Sequence, residues 1–241
     1  MENHGASEGE VFGKEVGLMS EVIVTGRKVG AGRDFWKAIA HNQKLFQSVV
    51  ETVKSYQLAM IRKMIIEWEI LYREDGIEVD FSDLRIPETQ KGFDRLIVIP
   101  KGLKIQQAYD TCAKHFPCIE NTLRNLDESM SKNDRDPVNG SYAIWVRDWI
   151  EADRELKNLS FFDLQKKKIV GITFLEHIQH WRKYYKETGN PIDIKNSTLC
   201  SGSQSSNGGV PSTHWDGRRM ITPFYSVNFC DVALRAREAV V

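Results

Sequence analysis

The feature that most constrains the fold is a run of apolar residues early in the chain. Phe46, Val49, Val50, Val53, Met60, Met64, Ile65, Trp68 and Leu71 recur mostly at steps of three and four. That period lines one side of an α-helix, whereas a half-buried strand alternates every second residue. The spacing predicts a helix over residues 43–72, about 45 Å long at 1.5 Å per residue and long for a globular domain.

Around this helix the chain reads as α+β: a helix-rich N-terminal half, with a mostly antiparallel sheet completed by C-terminal strands. Glu21 to Thr25 is a short β-branched run that reads as a strand. Asp34 is an expected N-cap for a helix carrying Phe35, Trp36 and Ile39. Leu96 to Ile99 reads as a buried strand, and residues 103–115 as a helix stopped by Pro117. Leu123, Leu126 and Met130 mark a short helix, and Tyr142 to Val146 a strand running into helical sequence near residues 151–157. Ser160 and Thr173 are expected N-caps, and Gly189 an expected C′ residue. Ser197 to Gly202 reads as a strand, residues 204–209 as a loop, and residues 215–218 as a hairpin turn returning along residues 220–227.

Apolar residues are 41% of the chain and charged residues 27%, ordinary values for a folded domain. Residues 1–18 read as an acidic, Gly-containing disordered tail, and residues 19–241 as one α+β domain with an early helical subdomain at 34–72. No run nears the roughly 18 apolar residues of a membrane span. With no export signal and four scattered cysteines, the expectation is a cytoplasmic protein with no membrane partner. The 33 basic and 33 acidic side chains balance, which argues against coating nucleic acid by bulk charge while leaving room for a local basic site.

One such site stands out. Gly26, Gly30 and Gly32 follow the expected strand and precede a helix, an arrangement that offers backbone amides to phosphate. Arg27, Lys28 and Arg33 add charge there, and residues 21–70 hold eight basic residues against five acidic. The spacing matches neither the Walker loop nor a dinucleotide fingerprint. The expected ligand-binding set is Arg27, Lys28, Gly30, Gly32 and Arg33, contacting nucleic acid or a nucleotide phosphate.

Other constellations point elsewhere. Asp134, Asp136, Asp148, Glu151, Asp153 and Glu155 invite a metal-dependent hydrolase or nuclease, with Lys157 or Arg147 steadying charge. Arg147, Arg154 and Lys157 interleave with these carboxylates as on a solvated ion-paired face. Cys112, His115 and Cys118 have the types of zinc ligands but lack a nearby fourth, and His177 with His180 adds only a pair, so neither metal nor cofactor is expected. Cys200 and Ser201 sit in a Ser/Gly-rich segment that His214 could face from a neighbouring strand, without a nucleophile-elbow motif. The lysines at 166–168 and the basic residues near Trp181, Tyr184 and Tyr185 fit a core stripe with solvated lysines. A third class is a protein–protein interaction module, whose sign would be a large exposed apolar patch on residues 43–72.

Three stretches, residues 20–36, residues 142–149, and residues 171–176 with 198–203, resemble a family of uncharacterised bacterial proteins sharing this order of segments. The resemblance implies a bacterial cytoplasmic origin and a single evolutionary unit. It brings no activity, cofactor or site residue with it.

Overall fold

The computed structural model describes residues 8–119 and 125–241, and its contacts divide the chain into two compact units, Met1–Lys63 and Met64–Val241. The class is α+β, with helices concentrated early and mostly antiparallel strands late. No helix among the described residues is long and apolar enough to cross a membrane.

Unit 1 is helical: α1 (Glu8–Lys28), α2 (Arg33–His41) and residues 43–63 of α3 (Gln43–Glu74). The strand expected at residues 21–25 is instead part of α1, and Val22, Ile23 and Val24 are exposed there. β-Branched residues favour strands where a neighbouring strand receives them, and among the described residues no strand precedes residue 95. Residues 8–18 of the expected tail are helical, and residues 1–7 lie outside the described residues. The α2 N-cap is Gly32, with Asp34 inside the first turn.

Unit 2 begins with residues 64–74 of α3, where Trp68, Leu71 and Tyr72 are buried. β1 (Arg95–Ile99) has four consecutive buried residues and pairs antiparallel with β3 (Tyr142–Val146), Ile97 opposite Ile144. One edge of β1 is satisfied by side chains. Trp68 Nε1 donates to the Leu96 carbonyl at 3.0 Å, and the Tyr72 hydroxyl to the Val98 carbonyl at 2.7 Å. The two rings stack 5.6 Å apart, so α3 lies along an edge that would otherwise leave buried carbonyls unpaired.

Between β1 and β3 run α4 (Ile105–His115), ended before Pro117, then α5 (Leu126–Ser129) and β2 (Met130–Asn133). Leu123, expected in the short helix, lies outside the described residues. The helical reading near residues 151–157 reduces to a 3₁₀ turn at Arg154–Leu156. α6 (Phe161–Lys166) and α7 (Phe174–Thr188) both start with capping boxes, Ser160 with Asp163 and Thr173 with Glu176. α7 ends at Gly189, whose φ of +68° is the left-handed geometry a C′ glycine supplies.

The C-terminal strands are β4 (Ser197–Leu199), β5 (Ser203–Ser205), β6 (Val210–Trp215), β7 (Met220–Ile221), β8 (Phe224–Tyr225) and β9 (Leu234–Ala236), all but β5 in one five-stranded sheet. β6 pairs antiparallel with β4, β7 and β8, and β5 pairs with β2. β9 pairs parallel with β4, so this sheet is mixed. Past β9 the chain crosses to the other layer, where Val240 exchanges backbone hydrogen bonds with Trp145 at 2.9 and 3.0 Å. This C-terminal segment, unassigned in the sequence reading, ties the β1–β3 pair to the mixed sheet.

Gly202 marks the tightest backbone approach. A Cβ there would lie 2.7 Å from the Gly171 carbonyl oxygen and 3.1 Å from the Ile172 carbonyl carbon, beside the start of α7. Backbone atoms cannot swing aside, so Gly202→Ala is expected to destabilise unit 2 by about 1–3 kcal/mol. The urea unfolding midpoint checks this, with the slope unchanged.

Candidate functional site

The expected anion cradle is a helix terminus closed on itself. The Val29 and Ala31 amides donate to the Gly26 carbonyl at 3.1 and 2.8 Å, and the Gly30 amide to the Arg27 carbonyl at 3.2 Å. Gly30, with φ of +91°, makes the reversal that ends α1. Trp36 locks the corner. Its Nε1 donates to the Ala31 carbonyl at 3.1 Å, and its ring lies over Gly26, where a Cβ would come within 2.4 Å of it. The amides of residues 29–31 are thus taken by the chain's own carbonyls, whereas the first amides of α2, after Gly32, have no side-chain cap. Arg27 and Lys28 occupy the last turn of α1, where they also complement the helix dipole, while Arg33 opens α2. All three are exposed.

The carboxylates between residues 134 and 155 do not gather into one acidic cluster. Asp136 caps the Val138 amide, Asp148 accepts from Arg95 Nε at 2.8 Å, and Glu151 accepts the amides of Ile194, Lys195 and Asn196. Asp153 is buried against Arg147 at 2.6 Å and the Glu238 amide at 2.8 Å, and burial pushes its pKa up. Arg147 also pairs with Glu155 at 3.1 Å. Burial likewise raises Asp134. Among the described residues no three His, Cys, Asp or Glu side chains are grouped to hold a metal.

The cysteine–histidine constellation separates as well. His115 Nε2 meets Asp75 at 2.9 Å, and Arg182 holds the same carboxylate through two nitrogens. Cys112 Sγ points to the Ile178 carbonyl at 3.6 Å. Burial raises the Cys112 and Cys200 thiols well above the ordinary range and Cys118 to about 12, so all three stay protonated, the poor state for a ligand or nucleophile. His214 faces neither Cys200 nor Ser201 in a hydrogen bond; its Nδ1 is 3.4 Å from Ser197 Oγ.

Two polar clusters have no signal in the sequence. Arg135 holds Glu176 through Nε at 2.6 Å and Nη2 at 2.8 Å. Asp193 accepts from His177 Nε2 at 2.8 Å and from Arg237 Nη2 at 2.9 Å, while Arg237 also donates to the Trp149 and Ile150 carbonyls. Burial and the Arg237 charge outweigh Asp193 and lower the pKa of His177. His180, one turn on, is fully buried with both ring nitrogens unpartnered, and burial drives its pKa well below the usual value. His177, Asp193, His180 and Arg237 are each at most 1% exposed, so no substrate reaches them. An open cleft of about 1150 Å³ lies nearby, lined by Asp80, Asp83, Arg85, Lys101, Arg135 and Asp136 among others. Its charges are of both signs, and Asp80, Asp136 and Arg135 already have partners within the chain.

The histidines set a pH dependence. His180 and His177 stay neutral in the folded chain below their ordinary value of 6.5, whereas the unfolded chain binds protons there. Stability is full above that value and falls as pH drops, each histidine approaching about 1.4 kcal/mol per pH unit. Urea midpoints are expected to fall between about pH 7 and pH 5, with the slope shallower in His180→Leu; a flat parent profile would contradict this. No family model matches the chain, and neither a curated protein nor a solved structure matches it.

Proposed function

We propose that this protein acts by binding, and that its N-terminal helices are the part that meets a protein partner. One observation carries the reading. α2 buries none of its side chains, and residues 43–63 of α3 bury none either, although Phe46, Val49, Val53, Tyr56 and Met60 are 37 to 66% exposed. Fully burying such a side chain contributes roughly 1.5–3 kcal/mol. At about half exposure, five of them give roughly 5 kcal/mol on this side of an interface, to be set against an association cost of about 4–15 kcal/mol. With a matching partner face the balance favours a reversible contact. Phe35 on α2 and Met19, Val22 and Val24 on α1 are exposed as well.

The test replaces Phe35, Phe46 or Tyr56, one at a time, with a photoreactive phenylalanine derivative in cells expressing the full chain. The control is Phe162, 60% exposed on α6. Discrete adducts are expected from the N-terminal positions, lost when Val49→Asp is added. Equal yields from Phe162, or none, overturn the reading.

Charge favours a second reading, the phosphate-bearing ligand or nucleic acid. Residues 27–63 carry eight basic side chains against two acidic. With the amides of residues 29–31 occupied, such binding draws on Arg27, Lys28 and Arg33 as side chains and is steeply salt-dependent without sequence preference. Retention of single-stranded DNA that is lost in the triple alanine variant supports it; retention unchanged by that variant, or absent in the parent, removes it.

A further inference from the structure

Residues 43–63 of α3 are bare on every side, and that narrows what can cover them. Apart from Val50 and Ile61, each residue of the segment is exposed. By the 3.6-residue period Phe46, Val49, Val53, Tyr56 and Met60 share one side, while Leu58, 57% exposed, stands on the opposite one. The charges are spread in the same way. Lys63 borders the stripe, Lys54 stands to one flank, and Lys44 and Arg62 lie opposite, with Glu51 the one acidic residue of the segment. A flat surface meets one side of a helix only. It would leave Leu58 and most of these cations in water, whereas an enclosing groove reaches them through its walls.

Building on the protein-binding reading above, we propose that residues 43–63 dock as a helix inside an enclosing groove of an acidic protein, with an apolar floor for the stripe and carboxylates along the walls. The anchors are of the kind such grooves take. Phe46, Val49, Val53 and Tyr56 fall at i, i+3, i+7 and i+10. Charge fixes the sign of the walls. Residues 27–63 carry eight basic side chains against two acidic, which a basic groove repels and carboxylates complement. The same excess opposes pairing with a second copy of the chain. Opposite charges also draw the two proteins together from a distance, so association slows as salt rises while the apolar anchors hold the complex once formed.

A photoreactive phenylalanine derivative placed at Tyr56 and, in a separate variant, at Leu58 tests this in cells expressing the full chain. The expected result is the same adduct mass from both sides of the helix, with the captured protein identified by mass spectrometry as acidic. Lys54→Glu combined with Lys63→Glu is expected to cut both yields about tenfold. Both lysines are exposed, so the helical circular dichroism of the purified double variant should match the parent. Lys166→Glu with Lys167→Glu, equally exposed in unit 2, should leave the yields unchanged. Adducts from only one of the two positions, different proteins from the two, a basic captured protein, or yields indifferent to the glutamates at 54 and 63 overturn the groove while the protein-binding reading stands. Adducts that nuclease digests overturn it in favour of nucleic acid. No adduct from either position, and none from Phe35 or Phe46, defeats both readings.

Discussion

A carboxylate kept from water needs partners that reach it from other parts of the chain, and Asp193 has two. His177 comes from α7, and Arg237 follows β9, 44 residues downstream. Removing one partner of such a buried group costs about 3–5 kcal/mol, because the other charge is left bare, although a well-packed apolar replacement of the whole set can be neutral. The network is therefore better understood as fixing arrangement than as adding net stability. β9 lies parallel to β4 with Thr198 opposite Arg235 and Leu199 opposite Ala236. A slip of one residue would turn Arg237 to the other face and leave Asp193 unpaired, so the ion pair selects one register. The same guanidinium holds the Trp149 and Ile150 carbonyls, which links the chain after β3 to the mixed sheet.

This internal closure explains why unit 2 offers so little for chemistry. The Cys112 and Cys200 thiols are buried and protonated, and the acidic residues between 134 and 155 with hydrogen-bonding partners meet them within the unit. Arg147 gathers Asp153, Glu155 and Glu238 around one guanidinium that also stacks 4.2 Å from the Phe93 ring. An interleaved run of acidic and basic residues resembles a metal site in sequence because both need several carboxylates close along the chain. What separates them is what the carboxylates converge on: here Asp136, Asp148 and Glu151 turn to separate donors, and Asp153 and Glu155 meet on the Arg147 guanidinium.

The sequence was legible where the deciding contact is a few residues away. The N-caps Ser160 and Thr173, Gly189 after α7, Pro117 after α4 and the turn at Gly217 are each settled within one turn of chain, and each stands as expected. It failed where local preference had no partner to act on: residues 21–25 are β-branched, but with no strand beside them their backbone is satisfied as helix. The Gly30 amide, read as a free donor, closes the end of α1 on the Arg27 carbonyl instead. The clusters around Asp193 and Glu176 were invisible, since their partners stand 16, 44 and 41 residues away.

The exposed apolar residues of the two units differ in arrangement rather than in kind. In unit 2, Val138, Phe162, Ile194 and Val232 are as exposed as those of α3, but they stand singly on separate segments, as ordinary surfaces allow. On α3, Phe46, Val49, Val53, Tyr56 and Met60 share one side of the helix at a regular step, with Leu58 exposed on the opposite side. Helices in water draw most of their stability from packing an apolar face. A segment that retains such a face and packs nothing on it within its own unit has the physical form of half an interface, and Lys44 and Arg62 on its other side keep it hydrated.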